Sequence, residues 1–519
     1  MANRQKLYIP LFLLFLVVPC QGRIHSIIDF GVQGGKKTND GPVIQATIDA
    51  CLAAGGGTVY VPAGDYFCGA LRLRSNVSLY LEAGATLWVS PEKEHYKNGN
   101  RFLYAEDEEN ISIEGRGTIH GTGETDLLRK KTDKKEEKPQ FRVGILRFIR
   151  CRNVAIKDIT VRYSDTWTFD LEFCRNVLIT GVNILNNYYR VNADGIDPVS
   201  CQSVHISNCH IVAGDDCIVC KTREGVPCED IVVTNCTLES VATAIKIGTE
   251  SPSDFRNIHV SNCVIRNSTV GIGMYIKDGA TAERISFTNC TIETLREPEL
   301  LNSSMQNSVY PIFVDMEKRH KESRIGKIRD LTFADINIVT DNGILVQGMI
   351  ASKIENLVMR NINMRVNRGF DYFARKKHVG GSTSETQDRR RTIYAQKPSY
   401  VTLANITGLT VDGLKVFIPD TIFDAHKRSA LSLHEVEHSV VSNVIRTPAG
   451  AGSRMPVVTM ENCTSALLTK CFALPETDIF LGLEGKDTAN ISLIGNDLSR
   501  AETDVKLSAE VSKVQISIR

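Results

Sequence analysis

The chain has 519 residues, enough for two to four average domains, although a single all-β domain also reaches several hundred residues. Hydrophobic residues make up 42% and charged residues 23% of it, which is typical of a folded globular protein and excludes a disordered one. The formal net charge of +1 argues against nucleic acid or an anionic membrane surface as a partner, so an acidic ligand must be held by local groups.

The N-terminal segment 1–22 has the pattern of an export signal peptide. Two basic residues precede an apolar run at 7–19, and Cys20 follows it. The run is shorter than the ~20 residues of a membrane-spanning helix, and no later run qualifies, so we predict an exported chain without a membrane span. Two alternatives remain open: cleavage after Gly22, giving a periplasmic or secreted protein, or lipidation of Cys20, which would anchor it to an outer membrane.

A helix is predicted at 38–57, ahead of the first strands. Asn39 or Asp40 stands at its N-cap, and the glycines at 55–57 end it. One face carries four apolar residues at helical spacing: Ile44, Ile48, Cys51 and Leu52. We expect this helix to cap the β-structure that follows, whose first coil would otherwise expose its core and its edge.

An internal repeat is the strongest signal in the sequence. The pair Asn-Cys recurs at intervals of 27 residues, in segments that alternate apolar and polar residues: 208–209, 235–236, 262–263 and 289–290. Similar segments continue outside this block: 154–161, 177–184, 331–338, 357–364, 409–416 and 491–498. An α-solenoid would need a period of 3.6 within each repeat, and a propeller would need repeats of ~40 residues. We therefore predict an all-β fold, a single-domain right-handed parallel β-helix with an N-terminal capping helix.

In such a β-helix, inward-facing residues stack from coil to coil. We predict one column of asparagines and, beside it, one column of cysteines: Asn208, Asn235, Asn262 and Asn289, with Cys209, Cys236, Cys263 and Cys290. We interpret these cysteines as small buried apolar side chains rather than disulfides, although fifteen cysteines in an exported chain would normally indicate disulfides. No cysteine or histidine set has the spacing of zinc ligands, and the pair in "CIVC" at 217–220 is interpreted as core packing.

Two segments, 123–140 and 374–392, are rich in charge and lack periodicity. We interpret them as surface insertions in an otherwise continuous domain at 23–519. Runs of this kind are usually solvated loops, but either one could form the wall of a groove.

Three aspartates come together when the repeat fixes the register of successive coils. The Asn-Cys strands fix the alignment on one side, and three isoleucines fix it on the other: Ile196, Ile218 and Ile245. It places Asp194 over Asp216 with Thr243 below them, and Asp215 one position to the side. Neighbouring coils are ~4.8 Å apart, so we predict three carboxylates on the outer face of one sheet, within reach of one sugar-sized ligand. Such crowding raises the pKa of at least one carboxyl group, as acid catalysis needs, whereas Asp197 is interpreted as an ordinary turn residue.

The motifs that carry these aspartates resemble those of glycoside hydrolase family 28, the polygalacturonase-like enzymes. "NADG" at 192–195 and "GDD" at 214–216 have the separation of the family's Asn-Thr-Asp-Gly and Gly/Gln-Asp-Asp motifs. "YIK" at 275–277 matches the family's Arg-Ile-Lys at Lys277 but has Tyr275 in place of the arginine. Where the family has Gly-His-Gly this chain has "ATA" at 242–244, so that Thr243 stands in place of the histidine. The resemblance extends from "DFGVQGGKKTNDG" at 29–41 to beyond residue 340.

The resemblance implies an inverting glycoside hydrolase that acts on a pectin-type or other acidic plant polysaccharide. Asp215 would be the general acid, while Asp194 and Asp216 would hold and deprotonate a water molecule. In an inverting enzyme the acid and base carboxyl groups are ~6.5–9.5 Å apart, to leave room for that water.

The resemblance further implies that Lys277 binds a substrate carboxylate, with Tyr275 and Thr243 nearby. From their places in the sequence, Lys246 and Glu250 are further predicted to contact the substrate. No cofactor or metal is implied, and we expect a monomer with a carbohydrate substrate and no nucleic acid partner.

Other functions remain compatible with this fold. A polysaccharide lyase or epimerase would need a histidine, lysine or arginine as base, often with calcium, and His205 and His210 lie beside the Asn-Cys strands instead. A non-catalytic carbohydrate-binding β-helix would have no reason to bring three acids together with a lysine. A structural or adhesive solenoid is the third alternative, because a fold does not by itself imply a function.

Overall fold

The fold is described from a computed structural model, which covers residues 23–97, 99–127, 141–294, 309–367, 398–419, 428–447, 455–512 and 516–518. Strands dominate these residues, and every pairing between two named strands is parallel. Each coil stacks on the preceding one, so the predicted right-handed parallel β-helix is confirmed. Its strands form three sheets, here called A, B and C, which follow one another around each coil.

Sheet A contains the following strands: Arg23–Ser26, Gly57–Val61, Val77–Leu81, Glu109–Gly115, Arg152–Lys157, Arg175–Thr180, Gln202–Ser207, Cys228–Thr234, Phe255–Ser261, Thr281–Thr288, Thr464–Thr469, Ala489–Ile494 and Ile516–Ile518. Sheet B contains Gly64–Cys68, Ala85–Val89, Thr118–His120, Thr160–Arg162, Asn183–Leu185, His210–Ala213, Thr237–Ser240, Val264–Ile265, Thr291–Thr294 and Ile445–Thr447.

Sheet C contains Leu71–Arg72, Arg101–Glu106, Gly144–Ile149, Phe169–Glu172, Ile196–Val199, Ile218–Cys220, Thr243–Thr249, Val270–Ile276, Tyr310–Met316, Ile344–Gln347, Val458–Glu461, Thr477–Glu484 and Ala501–Leu507. Four long strands bend around a corner and belong to more than one sheet: Lys327–Thr340, Ile354–Val366, Ser399–Phe417 and Ser429–Ser442. The inward residues of the three sheets form one continuous apolar core.

One α-helix, α1 at Gly41–Ala53, packs beside the first coils, as the sequence predicts for a cap. Asp40 occupies the N-cap position, but its carboxylate accepts hydrogen bonds from the backbone amides of Gln33 and Gly34. The Asn39 side chain accepts the hydrogen bond of the Gly41 amide instead, at 2.9 Å. Both residues therefore stabilise the start of the helix. Its apolar face is buried, with Leu52 partly so: Ile44, Ile48, Cys51 and Leu52. Two short 3-10 helices lie at Ile27–Phe30 and Lys93–His95.

The cysteine column is buried as predicted, and the fourteen cysteines among the described residues are all buried and free of disulfide bonds. The asparagines also stack, but the prediction that they point inward is wrong. They are exposed at the corner between sheets A and B, where each has a left-handed backbone with φ between 51° and 56°: Asn208, Asn235, Asn262 and Asn289. Asparagine tolerates this conformation better than most residues. Its side-chain amide also hydrogen bonds to the asparagine of the preceding coil, as Asn289 Nδ2 does to Asn262 Oδ1 at 2.6 Å.

Several predictions concern segments outside the described residues. These are the export signal at 1–22 with Cys20, the surface insertion at 374–392, and most of the insertion at 123–140. They stay predictions. Where the structure does describe the chain, no helix has the length and apolar character needed to cross a membrane.

Candidate active site

The structure brings the three aspartates together at the corner between sheets B and C. Ile196 pairs with Ile218 and Ile218 pairs with Ile245, which is the register that the sequence predicts. One carboxylate oxygen from each of the three aspartates lies within 4.8 Å of the other two: Asp194, Asp215 and Asp216. All three side chains are buried, with residue exposures of 3%, 8% and 2%.

Their position differs in one respect from the prediction of an outer sheet face. Asp194 lies in the turn before strand Ile196–Val199, and the other two lie in the turn before Ile218–Cys220. Turn residues have freer backbone directions than strand residues, so two adjacent aspartates can both face one site. In a strand they would point to opposite faces of the sheet.

Two glycines of the motifs let these turns approach each other. A Cβ on Gly214 would lie 2.1 Å from the Arg190 carbonyl oxygen, in the turn of the preceding coil. A Cβ on Gly195 would lie 2.4 Å from the Cys217 carbonyl oxygen, in the following coil. Both contacts are with backbone and cannot be relieved by a side-chain rotation. The motif glycines therefore set how closely the carboxylates stack.

Asp215 is positioned by the turn of the neighbouring coil. Its Oδ2 accepts hydrogen bonds from the Asn192 backbone amide at 3.2 Å and from the Asn192 side-chain amide at 3.4 Å. Its backbone carbonyl accepts a hydrogen bond from Ser240 Oγ at 2.5 Å. The first residue of the "NADG" motif thus holds the aspartate of the "GDD" motif.

Two lysines neutralise the other two carboxylates. Lys246 Nζ donates to Asp216 Oδ2 at 2.7 Å, and its contact with a substrate stays a prediction. Lys221 Nζ lies 3.6 Å from Asp194 Oδ2 and 2.5 Å from Asp197 Oδ1, and it sits 3.5 Å from the ring centre of Trp167. Burial lowers the pKa of Lys221, but Asp197 and Asp194 outweigh this and raise it, so the ammonium group stays charged.

The pKa of Asp194 is raised well above its ordinary value. Burial is the largest cause, followed by the negative charges of Asp197 and Asp215, while Lys221 acts in the opposite direction. A carboxyl group in this setting keeps its proton to a higher pH than one in water. Because the carboxylates of the cluster interact strongly, the proton belongs to the cluster as a whole rather than to one residue.

Two buried oxygens of the cluster have no hydrogen-bond donor among the described residues. These are Asp194 Oδ1 and Asp216 Oδ1. A buried acceptor without a donor is costly, and such groups are concentrated where water or a ligand binds. Both oxygens are therefore available to a water molecule or a sugar hydroxyl.

One oxygen of each aspartate lies within 4.8 Å of one oxygen of each of the other two. The acid and base carboxyl groups, measured from group to group, are ~6.5–9.5 Å apart in inverting glycosidases and ~5–5.5 Å apart in retaining ones. The stereochemistry is therefore measured on the product.

Thr243 and Tyr275 form one wall of the site. Thr243 is buried at the start of its strand, and the ring centre of Tyr275 lies 5.5 Å from Lys246 Nζ. Burial raises the pKa of Tyr275 to about 12, against the opposing effects of Lys246 and Thr243. The ring also packs on Phe313, with ring centres 5.3 Å apart. Tyr275 is therefore a fixed, neutral phenol next to the lysine that holds Asp216.

Lys277, which is predicted to bind a substrate carboxylate, lies against an acidic residue of the protein. Its ammonium group forms an ion pair with the Glu317 carboxylate from the following coil, and both side chains are buried. Glu250 is partly exposed nearby. Burial raises its pKa, but Lys221 and Lys246 outweigh this and lower it, so Glu250 is ionised next to the cluster.

Sequence reasoning missed Lys221, Trp167 and Glu317, and it misread Asp197. Asp197 belongs to strand Ile196–Val199 rather than to a turn, and it is fully buried against Lys221. The signal for Lys221 was present, because strand alternation from Val219 places it on the outer side of sheet C. No motif marks Trp167 or Glu317.

The chemistry of the cluster favours proton transfer over cation binding. Carboxylate oxygens are ligands of hard cations such as Ca²⁺ and Mg²⁺. Here, however, Lys221 and Lys246 already supply two positive charges to the three aspartates. A carboxyl group of raised pKa beside further carboxyl groups is the arrangement that acid–base catalysis of glycosidic bond cleavage uses.

Comparison with known proteins also indicates a glycoside hydrolase. Residues 51–379 match the family model described as glycosyl hydrolases family 28. A probable polygalacturonase of Vitis vinifera is 27% identical over 229 residues, which cover 40% of this chain and 46% of the relative. A polygalacturonase of Persea americana is 26% identical over 208 residues, covering 37% and 42%. The chain thus spans about half the length of the curated relatives it matches.

Among solved structures, an exopolygalacturonase of Yersinia enterocolitica superposes with a TM-score of 0.60 at 19% identity, covering 81% of this chain and 78% of that one. An exopolygalacturonase of Thermotoga maritima gives a TM-score of 0.58 at 21% identity, covering 66% and 87%. At these identities the likeness is one of fold.

Proposed function

This chain belongs to glycosyl hydrolase family 28, and from that membership we propose that it hydrolyses glycosidic bonds in an acidic polysaccharide of the pectin type. One observation supports the proposal above the others. Three buried carboxylates lie within 4.8 Å of one another, and two of them present an oxygen that has no donor among the described residues. The relatives named polygalacturonases support an acidic substrate.

In the proposed mechanism Asp215 is the general acid that protonates the leaving oxygen. Asp194 and Asp216 orient a water molecule through their Oδ1 atoms and take its proton as the water attacks. The raised pKa of Asp194 keeps a proton in the cluster, and transfer of that proton to Asp215 supplies the acid. General acid–base assistance of this kind accelerates a reaction by about 10²–10⁴-fold.

The lysines and Tyr275 have supporting roles. Lys246 holds Asp216 in place and balances its charge. Lys221 does the same for Asp194 and Asp197. We propose that Tyr275, Thr243, Glu250 and the Lys277–Glu317 pair contact the sugar next to the cleaved bond.

A lyase or epimerase receives less support from this site. Such an enzyme needs a base that can take a proton from a sugar carbon. The three lysines of the site are Lys221, Lys246 and Lys277, and each is paired with a carboxylate. Part of the proposal is that the protein acts outside the cytoplasm, where such a polysaccharide is found, and the export signal predicted from the sequence at 1–22 supports this.

The test is an assay of the purified chain on a panel of pectic and other acidic oligosaccharides. We expect new reducing ends from the wild type and a loss of about 10²-fold or more in kcat for Asp215→Asn. Asp230→Asn is the matched control, because it makes the same change at an exposed position on sheet A. If the wild type releases no reducing ends from any of them, the hydrolase proposal fails. Absorbance from an unsaturated product would instead identify a lyase, and the anomeric form of the first product, read by NMR, decides between inversion and retention.

A further inference from the structure

A cleft of 490 Å³ lies away from the aspartates, beside the first strands of sheet C. The start of α1, the edge of the first sheet C strand and the segment before the second strand enclose it. Its lining includes four cationic side chains, against two acids at Asp49 and Glu94: Arg72, Arg74, Lys97 and Arg101. His95 and Tyr104 are among its other polar lining residues.

The arginines of this cleft share their carboxylate partners. Arg72 and Arg74 both approach Glu108 Oε1, at 3.5 Å and 3.0 Å, so two positive charges face one negative charge. The Arg101 side chain is about nine-tenths buried and lies 3.2 Å from Asp170. Arg147 approaches the same carboxylate at 3.5 Å and also pairs with Glu172 at 3.2 Å. Within the described part of the chain, Arg101 Nε has no hydrogen-bond partner. These groups can therefore accept a further anion.

One row of outward-facing positions on sheet C connects the cleft to the candidate active site. The strand register joins consecutive coils of sheet C through a single column of outward positions: Arg72, Tyr104, Arg147, Asp170 and Asp197. Asp197 is in turn paired with the lysine that contacts Asp194. Four steps of ~4.8 Å separate the ends of the column by about 19 Å. One saccharide chain of a few units can thus reach both places.

We propose that this cleft is a remote subsite that binds a carboxylate-bearing sugar of the same acidic chain whose bond is cleaved at the aspartates. The inference depends on the proposed function for the identity of the polymer. Arginine presents paired donors that match a carboxylate, and the Tyr104 ring offers a flat face to a sugar ring. Arg72 is the most accessible of these groups, with 48% of its side chain exposed. The subsite makes long acidic oligomers better substrates than short ones.

The experiment compares oligogalacturonides of increasing length with the wild type, Arg72→Gln and Arg101→Lys. Loss of one charged hydrogen bond corresponds to about a tenfold weaker interaction. We expect kcat/KM for long oligomers to fall at least tenfold further than for short oligomers in Arg72→Gln. Arg101→Lys keeps the charge beside Asp170 but loses the paired donors, and should show the same dependence on length. Arg175→Gln, at an exposed position on sheet A, is the matched control and should show none.

A binding measurement keeps this test separate from the proposed function. Long oligomers are titrated calorimetrically into Asp215→Asn, with and without Arg72→Gln. We expect binding at least tenfold weaker in the double variant, and no such difference with fully methyl-esterified oligomers. Two results overturn the remote subsite. The first is that kcat/KM in Arg72→Gln falls equally for short and long oligomers, or falls for neither. The second is that the substitution weakens binding of the esterified oligomers as much as binding of the acidic ones. If the wild type cleaves no oligomer yet the binding difference persists, the hydrolase proposal fails and the subsite stands.

Discussion

Lys277 and Glu317 form a buried ion pair between consecutive coils, with only 4% and 2% of the two side chains exposed. The lysine that the "YIK" motif offers to a substrate carboxylate is thus already matched by a carboxylate of the protein. A uronate that binds Lys277 has to compete with Glu317 or to join the pair. The absence of the family's arginine, replaced by Tyr275, removes a second cation from the same place.

We predict that Lys277→Met destabilises the protein by about 3–5 kcal/mol, because it leaves the Glu317 carboxylate buried without its cation. The double variant Lys277→Met/Glu317→Leu should recover most of this loss, because apolar pairs often replace buried ion pairs well. The free energy of unfolding is measured by urea titration for each variant.

Activity of the double variant then separates two roles for Lys277. If Lys277 contacts the substrate, KM for acidic oligomers rises while KM for esterified oligomers does not change. A double variant with wild-type KM on both substrates would show that the pair is purely structural.

A second prediction concerns the pH dependence of activity. Lys221 lowers the pKa of Asp194 and Asp197 raises it, so removing them should have opposite effects. The proton of the cluster is present below the raised pKa and is lost as the pH rises through it. Lys221→Met should therefore move the alkaline limb of kcat/KM to higher pH, and Asp197→Asn should move it to lower pH.

Both variants break a buried ion pair, so the profiles are measured at a temperature where circular dichroism shows that each is folded. A limb that moves in the same direction in both variants contradicts the role assigned to the shared proton. The hydrolase activity itself can survive that result.

A third prediction is that Gly214→Ala separates the two catalytic turns. Its Cβ would lie 2.1 Å from the Arg190 carbonyl oxygen, so one of the turns has to move. A misplacement of about 1 Å can cost about 10²-fold in rate, and we expect a loss of this size in kcat. Thermal unfolding is followed in parallel, and a Gly214→Ala protein with full activity would mean that the close contact between the turns is unimportant.

A fourth prediction follows from the buried cysteines. Because the described cysteines are free, a reducing agent should leave the melting temperature of the protein unchanged. A thiol reagent should label them only when the protein unfolds. A fall of several degrees on reduction would reveal a disulfide, since such bonds commonly stabilise by about 2–4 kcal/mol.

The repeat made much of this architecture predictable. Inward residues at Ile196, Ile218 and Ile245 have to stack in register to fill the core, and this alone places the aspartates on neighbouring coils. The direction of the asparagines was not predictable from the period, because both a core column and a corner column repeat every 27 residues. Only the left-handed backbone at these positions distinguishes them.

The partners of the site were harder to predict for a different reason. Glu317 reaches Lys277 from the following coil. The sequence between these two residues is not periodic at 295–308, so the repeat does not predict the pair. Trp167 covers Lys221 from a turn two coils earlier. Contacts of this kind depend on how long each turn is and where it folds back, and the alternation of residues in strands carries no such information.

The stacking of coils also sets the distance between the arginine-lined cleft and the aspartates. The strands of sheet C from Arg101–Glu106 to Ile196–Val199 pair through their backbones with the strands directly before and after them, so the coils between the cleft and the aspartates act as spacers. Insertion or deletion of one whole coil would change the distance between the arginine-lined cleft and the aspartates by about 4.8 Å without altering either. Each coil gained or lost in evolution would therefore change, by one fixed step, the length of saccharide that spans both sites.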